Sequence, residues 1–149
     1  MVMTNHEIIS TLNYLILTCK DGEKGYRSAS QAVNKTEYKL LFNEYSQQRE
    51  QFAGALQKEV GRLGGDPEQS GSVPASLHRG WIDIKSVVSG GDESAIISEC
   101  ERGEDSAVKA YLEMLKRDLP SDLGSIVKRQ YAEVQKAHDR IRSLEKAFG

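Results

Sequence analysis

The stretch Gly64-Gly65-Asp66-Pro67-Glu68-Gln69-Ser70-Gly71-Ser72-Val73-Pro74-Ala75-Ser76-Leu77-His78-Arg79-Gly80-Trp81-Ile82-Asp83-Ile84-Lys85 decides how the helices on either side of it are connected. Its first third is a polar loop, and from Pro74 to Lys85 it reads as an amphipathic piece. An up-down-up-down bundle needs only a few residues between its second and third helices. A crossover must instead run the length of the bundle, roughly 40 Å for helices of about 28 residues. About ten extended residues and a four-turn helix supply roughly 55 Å of contour. The length therefore predicts one long crossover, carrying a short helix, between helices 2 and 3.

Working outward, four long segments show apolar residues at helical spacing. Thr4 with Glu7 forms a capping box, and the stripe behind it runs Ile8, Leu12, Leu15/Ile16, Cys19, Tyr26, Ala29 and Val33. Asn34-Lys35-Thr36-Glu37 reads as a tight connection, with Asn34 or Thr36 as the cap. The second stripe is Tyr38, Leu41/Phe42, Tyr45, Arg49, Phe52, Leu56, Val60 and Leu63, and Gly64-Gly65-Asp66-Pro67 ends it. A third helix begins near Asp92 or Glu93 and carries Ile96/Ile97, Cys100, Glu104, Ala107/Val108, Tyr111 and Leu115. After the turn Leu119-Pro120-Ser121-Asp122, the fourth carries Ile126/Val127, Tyr131, Val134, His138, Ile141, Leu144 and Phe148. No segment alternates as a strand does. The expectation is an all-α four-helix bundle in one domain spanning residues 1–149.

A short pattern occurs twice, Cys19-Lys20-Asp21-Gly22-Glu23 and Cys100-Glu101-Arg102-Gly103-Glu104. It predicts two helical hairpins related by a pseudo-twofold axis, each sending one glutamate toward a shared interior. Carboxylate-lined metal sites in bundles are built that way, with Glu-x-x-His on each of the other two helices. At those places this chain has Ser46-Gln47-Gln48-Arg49 and Gln135-Lys136-Ala137-His138. Of six ligands, Glu23, Glu104 and His138 remain. Arginine has no lone pair to give a metal, yet its guanidinium forks well onto carboxylates. Three arrangements suit these residues. Arg49, Glu23, Glu104 and His138 can form an interior polar cluster with no cofactor. Glu23, Glu104 and His138 can hold one iron, zinc or manganese ion. Alternatively, one glutamate points to solvent, because one position of register is about 100° of helix rotation.

Other residues have plainer readings. Cys19 and Cys100 read as small buried residues, and facing glutamates on antiparallel helices would hold them roughly 12 Å apart, beyond disulfide reach. Two glycines in mid-helix, Gly22 and Gly25, point to close packing or a local bulge. Trp81 reads as the anchor of the crossover. Tyr26 and Tyr111 are expected to extend their hydroxyls from the core edge or to a site glutamate.

Several function classes are excluded by composition. A net charge of -2 and the lack of a basic, aromatic-interleaved cluster give no reason to expect nucleic-acid or membrane-surface binding. The longest apolar runs fall short of a membrane span. Met1 to Glu7 lacks a basic region followed by an apolar core, so no signal peptide is expected, and two cysteines without metal spacing fit the cytoplasm. No nucleophile elbow, phosphate loop or dinucleotide fingerprint occurs. The expectation is a non-catalytic protein; the alternative is a metal-binding or iron-dependent redox or metal-handling protein with a reduced site. A homodimer would suit such a bundle, with Trp81 and Ile84 on the crossover as its candidate surface, and the sequence names no protein partner.

Asp21-Gly22-Glu23-Lys24-Gly25-Tyr26, Arg49-x-x-Phe52, Leu63-Gly64-Gly65, His78-Arg79-Gly80-Trp81 and Cys100-Glu101-Arg102-Gly103-Glu104-Asp105 occur together over nearly the whole chain. In these the chain resembles an uncharacterised bacterial family of ferritin-like four-helix-bundle proteins, a domain of unknown function distantly related to rubrerythrins and ferritins. The resemblance implies the ferritin-like fold with a crossover helix and implies no activity. Against rubrerythrins and ferritins the chain keeps Glu23, Glu104 and His138 and lacks the other ligands, so ferroxidase and peroxidase chemistry are not carried over.

Overall fold

The computed structural model describes residues 2–67, Trp81 and 92–148. Four helices make up the described chain: α1 (Asn5–Ala32), α2 (Thr36–Arg62), α3 (Glu93–Leu115) and α4 (Ser121–Phe148). Among the described residues no strand occurs, and no helix is long and apolar enough to cross a membrane. The short helix expected within the crossover, with His78 and Ile84, lies outside the described residues.

Local sequence sets the helix ends. The Thr4 hydroxyl accepts from the Glu7 amide at 3.1 Å while the Thr4 amide donates to the Glu7 carboxylate at 2.9 Å, a reciprocal box that satisfies two otherwise orphaned donors. The α1–α2 turn is capped differently from the expectation. Lys35 stands at the N-cap of α2 with no side-chain cap, and neither Asn34 nor Thr36 supplies one. Instead Glu93, at the start of α3, accepts from the Asn34 and Lys35 amides at 2.5 and 2.8 Å. A carboxylate brought in by tertiary structure does the work of a local cap, favoured by the positive end of the helix dipole. At the end of α2, Gly64 takes φ +79°. The Gly65 amide reaches the Val60 carbonyl and the Gly64 amide the Gly61 carbonyl, both at 3.0 Å, the paired bonds of a Schellman turn.

Contacts between helix ends establish the topology. Asn5 Nδ2 donates to the Leu63 carbonyl at 3.1 Å, so α2 ends where α1 begins. Glu93 bonds the chain just after α1, so α3 begins where α1 ends. At the other end, the Arg117 guanidinium donates to the Thr11 hydroxyl at 2.9 Å. Helices α1 and α3 are therefore antiparallel neighbours, α2 and α3 run parallel, and Leu63 and Glu93 lie at opposite ends of the bundle. That is the single-crossover arrangement. Helix α1 packs on α2 and α3, and α4 packs mainly on α3 with only a sparse contact to α2.

The interior divides into two apolar clusters. One holds Leu12, Leu15, Ile16, Cys19, Leu56, Val60, Tyr111, Val127 and Val134; the other holds Tyr26, Ala29, Phe42, Ile96, Ile97, Cys100 and Ile141. Each helix changes from one cluster to the other near its middle. The break falls at Gly22 and Glu23 on α1, Ser46 and Arg49 on α2, Gly103 and Glu104 on α3, and His138 on α4. Burial of the two clusters holds the bundle together, and the level between them carries the polar residues.

Candidate functional site: a buried polar layer

Arg49 and Glu104 form a two-pronged ion pair at this level. Nη1 donates to Glu104 Oε1 at 2.6 Å and Nη2 to Oε2 at 2.7 Å, with side chains only 1% and 0% exposed. The parallel geometry satisfies both carboxylate oxygens at once. Arg49 Nε donates to Gln48 Oε1 at 3.2 Å, and the guanidinium stands 5.5 Å from the Tyr26 ring centroid, over its negative face. Burial alone would weaken the hold on the Arg49 proton. The Glu104 charge and its hydrogen bonds outweigh that, so Arg49 is held charged more firmly than usual.

Room for the arginine comes from the first copy of the repeated motif. A Cβ on Gly22 would stand 3.3 Å from Arg49 Cγ and from Nη1. Glycine, not Glu23, thus takes the inward position on α1. Glu23 lies on the flank of the helix, where it accepts from Arg27 Nη2 at 2.6 Å, and its backbone carbonyl accepts from the Ser46 hydroxyl at 2.9 Å. In the second copy the phase differs by one residue, so that Glu104 points inward while Gly103 faces Trp81. Cβ atoms built on Gly25 and on Gly103 would both fall inside the Trp81 indole, which therefore sits in a cradle between α1 and α3. Its ring stands edge-on to Tyr26 with centroids 5.0 Å apart. The close packing read from the mid-helix glycines is thus given to two specific side chains, Arg49 and Trp81.

His138 turns away from the pair. Its Nε2 is 2.5 Å from Asp105 Oδ1 and its Nδ1 is 3.4 Å from Asp139 Oδ1. Burial disfavours its proton, but the hydrogen bonds to these two carboxylates outweigh it, and the imidazole pKa is raised. Of the four residues singled out in sequence, the structure brings Arg49 and Glu104 together and directs Glu23 to Arg27 and His138 to Asp105. Gln135 is half-buried on α4, bonded to Tyr131 and Asp139.

Two further features escaped the sequence reading. Tyr26 and Tyr111 are fully buried and not at the core edge. Tyr111 donates to Gln130 Oε1 at 2.7 Å, Gln130 Nε2 donates to the Phe52 carbonyl at 3.3 Å, and Cys19 Sγ lies 3.0 Å from the Tyr111 oxygen. Because the phenol proton is committed to Gln130, the Cys19 thiol is the donor to Tyr111. The Tyr26 hydroxyl is buried near Glu104 without hydrogen-bond geometry to it or to any other group. Gln130 carried no signal, since nothing about an isolated glutamine on a helix marks it as inward. Asp105 could have been found from its i+4 spacing to Glu101, which puts both on one face of α3.

A dinuclear carboxylate centre, the group that bundles of this architecture can carry, does not fit this layer. Both Glu104 oxygens are taken by Arg49, the two glutamates of the paired Glu-x-x-His pattern are Ser46 and Gln135, and one of its histidines is a cation with no lone pair.

A family model described as Domain of unknown function (DUF2383) matches residues 7–117. No curated protein matches the sequence. Among solved structures, the chain is similar to a point mutant of Mycobacterium smegmatis Dps1, with 11% identity over 95% of this chain and 96% of that one, at a TM-score of 0.79. It is also similar to a two-domain protein from Anabaena variabilis that contains DJ-1/ThiJ/PfpI-like and ferritin-like domains, with 18% identity and a TM-score of 0.80. There the match covers 99% of this chain and 41% of that one. At these identities the likeness establishes the fold, which is ferritin-like.

Proposed function

The chain belongs to the DUF2383 family, and on that footing we propose that it is a non-catalytic ferritin-like bundle whose metal layer has been replaced by a structural polar cluster. The observation that carries this reading is the position of Arg49. Its guanidinium occupies the middle of the bundle, spends both oxygens of Glu104 and puts a fixed positive charge where metal cations would otherwise be held. A second positive ion beside it is disfavoured by simple Coulomb repulsion in a low-dielectric interior. In this reading the protein is a single domain that acts through self-association or a protein partner, not through redox chemistry in its core. The buried, free thiols of Cys19 and Cys100 fit a reducing compartment such as the cytoplasm.

The test is anaerobic reconstitution of the purified full chain with ferrous iron, followed by admission of oxygen. The expected result is no stoichiometric pair of irons per chain and no rapid ferrous oxidation. Two irons per chain with fast oxidation would overturn the reading and promote the metal-handling alternative through Glu23, Glu104 and His138. Light scattering on the same sample reports whether the chain is a homodimer.

A further inference from the structure

We propose that Glu101, Asp105 and His138 form a single-ion site for a divalent transition metal of the zinc type, on the α3–α4 face and with no ligand drawn from the Arg49–Glu104 pair. Among the described residues, these three are the group of metal-ligating side chains whose donor atoms all lie within 4.8 Å of one another. Glu101 and Asp105 are one turn apart on α3, and His138 reaches them from α4, so two packed helices fix the three donors.

The set has the right chemistry. One imidazole nitrogen and two carboxylate oxygens suit zinc, and a water completes a four-coordinate shell. His138 Nε2 already points at Asp105 Oδ1, while its other nitrogen faces Asp139 Oδ1 at 3.4 Å. A carboxylate on the far nitrogen orients a ligating imidazole and raises its basicity. The partly exposed Asp105, at 49%, leaves the site open to ions from solvent.

The surroundings of Glu101 are acidic as well. Glu101 Oε2 is out of reach of solvent and accepts no hydrogen bond. The group against Glu101 is a second carboxyl, that of Glu145 from the last turns of α4. The two carboxyls are hydrogen-bonded to one another, which takes a proton shared between them. Arg142 contributes charge nearby, yet Glu101 Oε2 has no bond from it. A metal ion bound to Glu101, Asp105 and His138 would displace that proton and neutralise the acidic group.

The site shares no ligand with the Arg49–Glu104 pair, so it stands or fails apart from the proposed loss of the interior metal layer. Titration calorimetry of the chelator-treated full chain with zinc sulfate, at neutral pH, tests it. One zinc per chain is expected, with affinity reduced roughly tenfold or more in His138→Ala and in Glu101→Gln. Glu23→Gln should bind zinc as the parent does. Circular dichroism of each variant checks that the bundle is retained, and the His138 imidazole resonances should shift on zinc addition in the parent. The absence of saturable one-to-one binding, or binding that His138→Ala and Glu101→Gln leave unchanged, would overturn the site. Weakened binding in Glu23→Gln instead would place the ion in the interior and overturn it equally.

Discussion

The Arg49 side chain passes directly over Gly22, so that a single methyl group on α1 would touch it at both Cγ and Nη1, 3.3 Å away at each. The arginine cannot easily retreat, because its two terminal nitrogens are fixed on Glu104. Gly22→Ala gains up to about 1 kcal/mol in helix propensity but crowds a locked side chain, and overpacking costs about 1–3 kcal/mol. The expected outcome is a net loss of about 1 kcal/mol in urea denaturation. In an Arg49→Ala background the same substitution should become stabilising, and that change of sign is the coupling a double-mutant cycle reads.

Removing one member of the pair should be far more damaging than removing both. Arg49→Ala leaves the Glu104 carboxylate charged in the core, at a cost of about 3–5 kcal/mol. The double variant Arg49→Met/Glu104→Leu fills similar volume without charge and should recover most of that loss. If Arg49→Ala lost less than about 1 kcal/mol, the guanidinium would have to be solvated, contrary to its burial.

Trp81 gives a direct optical test of its glycine cradle, because it is the single tryptophan in the chain. Alanine at Gly25 or Gly103 puts a methyl group inside the indole and must expel it. Each variant should red-shift tryptophan emission and lose stability. Gly54→Ala is the contrasting case. Nothing lies within 4 Å of its Cβ position, so it should stabilise α2 by up to about 1 kcal/mol with emission unchanged.

The architecture was legible in sequence because it rests on long-range regularities: four stripes of helical period, strong stop signals such as Gly64-Gly65, and a connection too long for a hairpin. The placement of Arg49 was legible too, since a cation inside an apolar stripe needs an anion at the same level. Glu23 was not. The two Cys-x-x-Gly-Glu copies are identical in pattern yet turned by one residue relative to each other, because Arg49 needs the space at Gly22 while Trp81 needs it at Gly25 and Gly103. Sequence similarity between the halves cannot report which neighbour fills which gap. His138 was missed in its partner for a related reason: Asp105 and Glu101 lie beside the motif's glutamate, and helix rotation alone decides which of them faces α4.

The last prediction concerns alkaline stability. Burial is the first cause raising four acids: the Cys19 thiol goes up to about 11 from 9.0, and Cys100, Tyr26 and Tyr111 rise well above their ordinary values. Each folded pKa is above its unfolded value, so the folded state binds protons the unfolded state releases. The resulting stabilisation is fully present below the unfolded pKa and is lost as pH rises toward the folded one. For Cys19 the window is pH 9.0 to about 11. A shift of that size is worth about 2–3 kcal/mol at its upper end. The urea midpoint should therefore hold steady from about pH 7 to 8.5 and fall steeply above pH ~9. Cys19→Ala should be less stable at neutral pH, through lost packing and the lost bond to Tyr111, yet show a shallower alkaline decline. An equally steep decline in that variant would mean that Cys19 does not carry its share of the linkage, and that the tyrosines and Cys100 account for all of it.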